Sequence, residues 1–143
     1  MKIIITGGLG FIGSTLARSL VQADHGVVLV DSLTPQIHGQ LPQPIELPAG
    51  VAVVRADVRQ LADHWQVLED ADVVYHFAAE TGTAQSMYRI QEYVDANEMG
   101  TAAPLEAIAK CNRRPRQVVL ASSRSVYGEG AYELPTEPGT IVQ

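Results

Sequence analysis

Short, β-branched apolar runs recur along this chain at regular intervals, and their continuity limits the possible folds more than any other feature. The runs occupy residues 3–5, 27–30, 51–54, 73–75 and 118–120. Each run is continuously apolar rather than alternating, which is typical of strands covered on both faces in a parallel sheet. Segments with helical periodicity lie between them. The alternation predicts a doubly wound α/β domain with helices on both faces of the sheet.

The segment after the first run has the spacing of an amphipathic helix. Ile12, Leu16 and Leu20 recur every four residues and therefore share one helix face. We interpret Gly26 as the signal that ends this helix before the second strand.

A second helical pattern extends over about 86–110. Pro104 lies inside this pattern. An interior proline destabilises a helix by about 3 kcal/mol and kinks it, so two helical pieces are expected. Residues 32–50 break the strand–helix rhythm and predict a long surface loop, either functional or disordered. The prolines of this loop are Pro35, Pro42, Pro44 and Pro48.

Composition excludes several classes of protein. The 143 residues, 46% hydrophobic and 18% charged, suit one globular domain. The net charge is −6 and lysine occurs only at positions 2 and 110, so no nucleic-acid partner is expected. No apolar run approaches the length of about 18 residues that a membrane helix needs. The single cysteine, Cys111, excludes an internal disulfide and a multi-cysteine metal site and is interpreted as a free thiol of a cytoplasmic protein.

Three glycines follow the first strand and open the first helix. Gly7, Gly10 and Gly13 allow a tight turn and let the backbone approach a pyrophosphate, although such turns also serve plain packing. The helix N-terminus would offer free N–H groups to the anion. Asp31 ends the second strand, where a carboxylate can bind an adenosine ribose and repel a 2′-phosphate; the alternative is a solvated loop carboxylate. No arginine lies between Asp31 and Arg55, so NAD is favoured over NADP.

Other strand ends offer weaker candidates. Asp57, after the third strand, fits a contact with the adenine amino group and a helix N-cap equally well. Ala78 and Ala79, after the fourth, would let a flat cofactor lie against the backbone, or they only pack tightly. His76 is interpreted as a hydrogen-bonded core histidine, and with no second histidine nearby no metal site is expected.

Six motifs in order resemble the extended short-chain dehydrogenase/reductase family, which is dominated by NAD-dependent nucleotide-sugar epimerases and dehydratases. They are Thr-Gly-x-x-Gly-x-x-Gly at 6–13, Asp31, Asp57-Val58, His-x-Ala-Ala at 76–79, Asn-x-x-Gly-Thr at 97–101 and the serine-rich strand end at 122–128. The resemblance covers the whole chain and implies a Rossmann domain that binds NAD.

The resemblance also implies a set of site residues. Ser123 would be the catalytic hydroxyl, which hydrogen-bonds the sugar oxygen that loses its proton. The implied cofactor-binding residues are Gly7, Gly10, Phe11, Ile12, Gly13, Asp31, Ser32, Asp57, Val58, Phe77, Ala78, Ala79, Thr81 and Ser122.

Residues that depart from the family pattern narrow the range of activities that the resemblance implies. The 4,6-dehydratases have an acidic pair where this chain has Arg124 and Ser125, and UDP-galactose 4-epimerases usually have lysine at Thr81. Residues 33–39 and 81–88 look most like nucleotide-sugar 4-epimerases of the dTDP-L-rhamnose 4-epimerase type. Such an enzyme forms a transient 4-keto sugar and returns the hydride to its other face, so NAD is regenerated.

In this family the catalytic base is a tyrosine with a lysine four residues later. This chain lacks such a pair, because neither of its lysines stands four residues after a tyrosine. We therefore expect residues 1–143 to be the NAD-binding Rossmann portion of a larger enzyme, truncated before the substrate-binding part and inactive alone. The alternatives are a 4-keto reductase of the same fold and a non-catalytic NAD-binding fragment. By resemblance, the partners would be a dTDP- or UDP-linked sugar and a second copy through the helix at 86–110.

Overall fold

A five-stranded parallel sheet forms the centre of the protein, as the apolar runs predict. The computed structural model describes residues 1–40, 45–128 and 130–142. The strands are β1 Lys2–Thr6, β2 Gly26–Asp31, β3 Ala52–Arg55, β4 Val73–His76 and β5 Gln117–Leu120. Their spatial order is β3-β2-β1-β4-β5, and all pairings are parallel. The predicted α/β class is confirmed.

The central strands of the sheet are covered on both faces, which explains their continuous hydrophobicity, whereas the edge strands β3 and β5 are largely exposed. Successive side chains of a strand point to opposite faces. Ile4 therefore joins one core cluster and Ile3 and Ile5 join another, and all three are at most 1% exposed. The first cluster also contains Val30, Leu61, Leu68, Val74 and Ala107, and the second Leu9, Ala17, Val27 and Leu29.

The first helix, α1 (Phe11–Gln22), forms where predicted, but its buried face differs in detail. Ala17 is fully buried, and Leu16 and Leu20 pack against the second cluster. Ile12 is 62% exposed, so of the three residues expected on one helix face only Leu16 and Leu20 reach the core. The first turn instead approaches the strand ends through Gly13, where a larger side chain does not fit.

The helix α1 also ends earlier than predicted. The turn after it runs through Asp24, which adopts a left-handed conformation (φ 58°). Gly26 is the first residue of β2 rather than the stop signal. Aspartate tolerates left-handed φ better than most residues because its short side chain bonds locally, so the stop needs no glycine.

The predicted helix at 86–110 is a composite. Short helices α3 (Thr83–Ser86) and α4 (Ile90–Tyr93) precede a π-helical segment at Val94–Met99, which continues into α5 (Gly100–Lys110). The helix is divided, as expected, but the breaks do not lie at Pro104, which is buried inside α5. Proline disturbs the turn that precedes it, so the irregularity falls on its N-terminal side.

Two further segments complete the chain. The loop after β2 contains a four-residue helix, α2 (Pro35–His38), while Pro42 and Pro44 lie outside the described residues. After β5, β6 (Tyr132–Leu134) and β7 (Glu137–Val142) form a separate antiparallel pair that the sequence patterns did not predict. Among the described residues, no helix is both long and apolar enough to span a membrane.

Candidate functional site

A cavity of about 360 Å³ opens where β1, β2, β3 and β4 end. In open α/β sheets, ligands bind outside the carboxyl ends of the strands, at the point where the strand order reverses. Here β1 lies between β2 and β4, so the cavity occupies that point. The lining residues are Gly7, Gly10, Phe11, Ile12, Gly13, Val30, Asp31, Ser32, Thr34, Ile37, His38, Ala56, Asp57, Val58, Arg59, Phe77, Ala78, Ala79, Glu80, Thr81 and Ala96.

Only glycine fits at two positions of this region, Gly7 in the turn between β1 and α1 and Gly13 in the first turn of α1. Gly7 has φ 64°, and a Cβ there would meet the Ala78 backbone nitrogen at 2.7 Å. A Cβ on Gly13 would meet the Gly7 oxygen at 2.5 Å. The glycines thus bring the turn, the helix and the end of β4 into close backbone contact.

The start of α1 is open to an anion. Gly10 caps the helix without a side-chain hydrogen bond, and the first turn contains no acidic residue. The first N–H groups of a helix lack intrahelical partners, and the helix dipole favours negative charge there. A phosphate in the cavity could therefore accept hydrogen bonds from this turn.

Asp31 lies at the end of β2 and is only 7% exposed. The Leu9 backbone N–H donates to its Oδ2 at 2.9 Å, and the Leu33 N–H donates to its Oδ1 at 2.8 Å. The Nε2 atom of His38 lies 3.4 Å from Oδ1. The carboxylate is therefore held between the glycine turn and the loop after β2, not solvated as the alternative interpretation required.

Asp57 fills one of the two roles that its sequence position left open, the helix N-cap. Its Oδ1 accepts the Arg59 backbone N–H at 2.9 Å, so it caps the 3₁₀ turn at Val58–Gln60. The Arg59 guanidinium bonds both carboxylate oxygens, and this hydrogen bonding lowers the pKa of Asp57. The N-cap is confirmed, while the residue also lines the cavity, where an adenine contact stays a prediction.

The end of β4 forms the opposite wall of the cavity. Phe77, Ala78, Ala79 and Thr81 line it, and the Ala78 N–H donates to Thr6 Oγ1 at 3.4 Å. Small side chains are needed here because Gly7 approaches the Ala78 backbone so closely. The tight-packing interpretation of Ala78 is thus confirmed, and contact of this wall with a flat cofactor stays a prediction.

His76 lies beneath this wall and does not line the cavity. Its Nδ1 is 2.7 Å from Thr6 Oγ1 and its Nε2 is 3.2 Å from Thr101 Oγ1. Burial lowers the pKa of His76, which favours the neutral imidazole. The interpretation of His76 as a hydrogen-bonded core histidine is confirmed.

Asn97 fixes the backbone of the same wall. Its Oδ1 accepts the Glu80 N–H at 2.8 Å, and its Nδ2 donates to the Glu80 carbonyl at 3.2 Å. Within the described part of the chain, the Glu80 Oε2 atom has no hydrogen-bond partner. Burial, followed by the nearby Glu92 charge, raises the pKa of the Glu80 carboxyl.

The structure adds lining residues that the sequence analysis missed. They are Val30, Thr34, Ile37, His38, Ala56, Arg59, Glu80 and Ala96. Thr34, Ile37 and His38 reach the cavity through the fold of the loop after β2, and Ala56 and Arg59 through the turn after β3, which no periodic or motif signal marks.

The two candidate serines occupy a different position. Ser122 and Ser123 are exposed after β5 and are not among the residues that line the cavity. The Ser125 N–H donates to Ser123 Oγ at 3.1 Å, which caps the 3₁₀ turn at Arg124–Tyr127. The neighbouring Ala121 N–H donates to the His76 carbonyl, so this segment starts beside the end of β4.

The sheet order and the cavity define a doubly wound α/β domain of the Rossmann type, and comparison with known proteins specifies the family. The model of the NAD dependent epimerase/dehydratase family matches residues 3–141. The chain therefore belongs to this family.

Curated relatives include several nucleotide-sugar enzymes. A dTDP-L-rhamnose 4-epimerase of Burkholderia thailandensis is 38% identical over 99% of this chain, which spans 39% of that protein. A UDP-glucose 4-epimerase of Streptomyces lividans is 33% identical over 90% of the chain and 37% of its own length. The chain thus spans about two fifths of the length of these relatives.

Solved structures give the same picture. The chain resembles a UDP-glucose-4-epimerase from Stenotrophomonas maltophila with bound NAD and formylated UDP-arabinopyranose, with a TM-score of 0.75, 31% identity and coverage of 91% of this chain and 39% of that one. A dTDP-glucose 4,6-dehydratase from Streptomyces venezuelae with NAD bound has a TM-score of 0.76 and 26% identity, over 96% of this chain and 45% of that one. The Rossmann-type fold expected from the motifs is confirmed.

Proposed function

We propose that residues 1–143 are the NAD-binding Rossmann domain of a nucleotide-sugar 4-epimerase that acts through a transient 4-keto sugar. The observation that supports NAD binding most directly is the glycine turn, whose open helix N-terminus shares one cavity with Asp31. The dTDP-L-rhamnose 4-epimerase relative, similar over 99% of the chain, supports the epimerase assignment.

The residues that line the cavity can be assigned to successive parts of the NAD molecule. Gly7, Gly10 and Gly13, with the N–H groups of Phe11 and Ile12, would hold the pyrophosphate. Asp31, beside Ser32, would accept hydrogen bonds from the adenosine ribose. Because a 2′-phosphate would approach the buried Asp31 carboxylate, we propose NAD rather than NADP.

The remaining walls would hold the two bases of the cofactor. Asp57 and Val58, which line the cavity after β3, would contact the adenine, and the lowered pKa keeps the Asp57 carboxylate charged so that it can accept a hydrogen bond from the adenine amino group. The β4 wall, with Phe77, Ala78, Ala79 and Thr81, would support the nicotinamide side. Ser122, after β5 and outside the cavity lining, would approach the nicotinamide from the neighbouring strand end.

The proposed chemistry depends on few residues of this chain. When bound, NAD supplies the acceptor and later the donor of the sugar C4 hydride. Ser123 would orient the sugar 4-oxygen; its Oγ accepts the Ser125 N–H, which leaves the hydroxyl proton to donate. The chain has no lysine four residues after a tyrosine to lower the pKa of a tyrosine base, so we propose that it binds NAD without turnover.

A titration of this chain tests the cofactor assignment. NAD is expected to bind, and NADP to bind more weakly because of repulsion by Asp31. Asp31→Asn removes that repulsion and should narrow the difference in calorimetric affinity, while the exposed control Asp63→Asn should leave it unchanged. Equal affinities of the unaltered chain for NAD and NADP would contradict the assignment.

The activity is tested with the complete gene product. dTDP-L-rhamnose and UDP-galactose are supplied without NADH, and formation of the C4 epimer is followed by NMR. An epimerase regenerates its cofactor, so conversion should proceed without added reductant. Conversion that occurs only after stoichiometric NADH is added would identify a 4-keto reductase of the same fold. If no conversion occurs, the epimerase assignment fails and only the proposal of NAD binding stands.

A further inference from the structure

His38 is the residue of α2 that turns away from solvent. Pro35, Gln36 and Ile37 of this short helix are exposed, whereas the His38 side chain is only 8% exposed. Its Nε2 lies 3.4 Å from Asp31 Oδ1, and the Asp31 side chain is equally buried. The helix therefore brings an imidazole against the carboxylate at the end of β2.

The Asp31 carboxylate is contacted from three separate segments. The Leu9 N–H comes from the glycine turn and bonds Oδ2, while the Leu33 N–H bonds Oδ1 from the loop. His38 approaches the same Oδ1 from α2. A carboxylate has about four acceptor positions, so three protein contacts would fix its orientation and leave it able to accept from a ligand.

Charge at the site singles out His38. Of the described residues that line the cavity, only Arg59 and His38 can be positively charged. The Arg59 guanidinium bonds both oxygens of Asp57. The remaining ionisable groups of the lining are the carboxyls of Asp31 and Glu80, so His38 is the cationic or donor group that adjoins Asp31.

We propose that His38 is a positioning residue for the adenosine ribose: it orients the Asp31 carboxylate so that its remaining acceptor position faces the ribose hydroxyls. The proposal rests on the proposed NAD-binding function. His38 acts through Asp31, so its effect should be confined to ligands that present those hydroxyls. A general packing role would instead affect every ligand of the cavity.

The test compares two ligands and three variants of this chain. NAD and its 2′,3′-dideoxyadenosine analogue are titrated by calorimetry into the unaltered chain, His38→Leu, His38→Gln and the control His64→Leu, whose histidine is exposed outside the cavity. His38→Leu should weaken NAD binding about tenfold, the size expected from loss of one contact with a charged group, and leave binding of the analogue unchanged. His38→Gln keeps an N–H donor and should restore most of the NAD affinity.

Each other outcome overturns the proposal. Equal weakening of NAD and the analogue by His38→Leu would show a packing role, and no weakening would show that Asp31 is oriented without His38. If His38→Leu does not fold, as judged by thermal unfolding, His38→Ala replaces it, since α2 is otherwise exposed. Failure of the unaltered chain to bind NAD would overturn the proposed function and this proposal together, whereas a failure confined to the His38 variants would overturn this proposal alone.

Discussion

At the scale of single residues, the site depends on positions where the local backbone geometry accepts only one type of residue. Gly7 combines a left-handed φ with a backbone contact too close for any Cβ. Asp31 is recognisable from its place after the second apolar run, but its bonds to Leu9 and Leu33 depend on how two loops fold around it. The sequence therefore identifies the chemical groups of the site, and their neighbours require the structure.

Gly7→Ala should abolish NAD binding and destabilise the fold. The left-handed conformation costs an alanine about 1–2 kcal/mol, and the clash with the Ala78 nitrogen adds to it. Gly50→Ala is the matched control, because Gly50 also has positive φ, 86°, but has no atom within 4 Å of the added Cβ. Urea unfolding should show a larger decrease in the free energy of unfolding for Gly7→Ala than for Gly50→Ala. Equal decreases would contradict the interpretation that the close approach of the Ala78 backbone excludes a Cβ at position 7.

At the scale of secondary-structure elements, polar contacts fasten the end of β4 to its neighbours. His76 joins Thr6 of β1 to Thr101 of α5, and Asn97 bonds the Glu80 backbone from the π-helical segment. These bonds hold the cavity wall in place between the sheet and the helix. Hydrophobic periodicity predicts the elements but contains no information on such cross-links.

The pH dependence of stability should report on His76. Burial lowers its pKa in the folded state below the ordinary value of 6.5, so below that pH the unfolded chain binds the proton more readily. The contribution of His76 to the free energy of unfolding is thus complete above pH 6.5 and is lost as the pH falls towards the lowered pKa. Through His76, the free energy of unfolding should change by at most about 1.4 kcal/mol per pH unit.

His76→Gln should flatten this dependence in urea unfolding curves recorded between about pH 5 and 7. His64→Gln, at an exposed histidine, should retain the slope of the unaltered chain. If the two variants show the same slope, His76 is not the group responsible.

At the scale of the whole molecule, the sheet has unpaired edges. Among the described residues, β5 pairs only with β4, and Val118 and Leu120 on it are 40% and 58% exposed. Unpaired strand edges with exposed apolar side chains promote association between chains. The exposed apolar residues of the composite helix, including Met87, Ile90 and Leu105, would suit the second copy proposed from family resemblance.

Val118→Lys should reduce concentration-dependent association of this chain. A lysine on the edge strand opposes pairing with another edge, while Val118 lies outside the cavity, so NAD binding should be unchanged. Gln117→Lys is the control for added charge, because Gln117 is already a polar, exposed residue of the same strand. Light scattering as a function of concentration is the measurement, and equal scattering from Val118→Lys and the unaltered chain would exclude the β5 edge as the site of association.

The sequence by itself determined the parallel sheet, the glycine turn and the family, because short continuous apolar runs and glycine spacing are local patterns with one common structural solution. The tertiary structure alone decided the exposure of Ile12, the π-helical segment before Pro104 and the pairing of β6 with β7. It also placed His38 against Asp31 and Asn97 against Glu80. These features depend on which backbone and side-chain groups meet when the elements fold, as in the pairing of β6 with β7 and the contacts His38–Asp31 and Asn97–Glu80, and a pattern of apolar residues does not specify them.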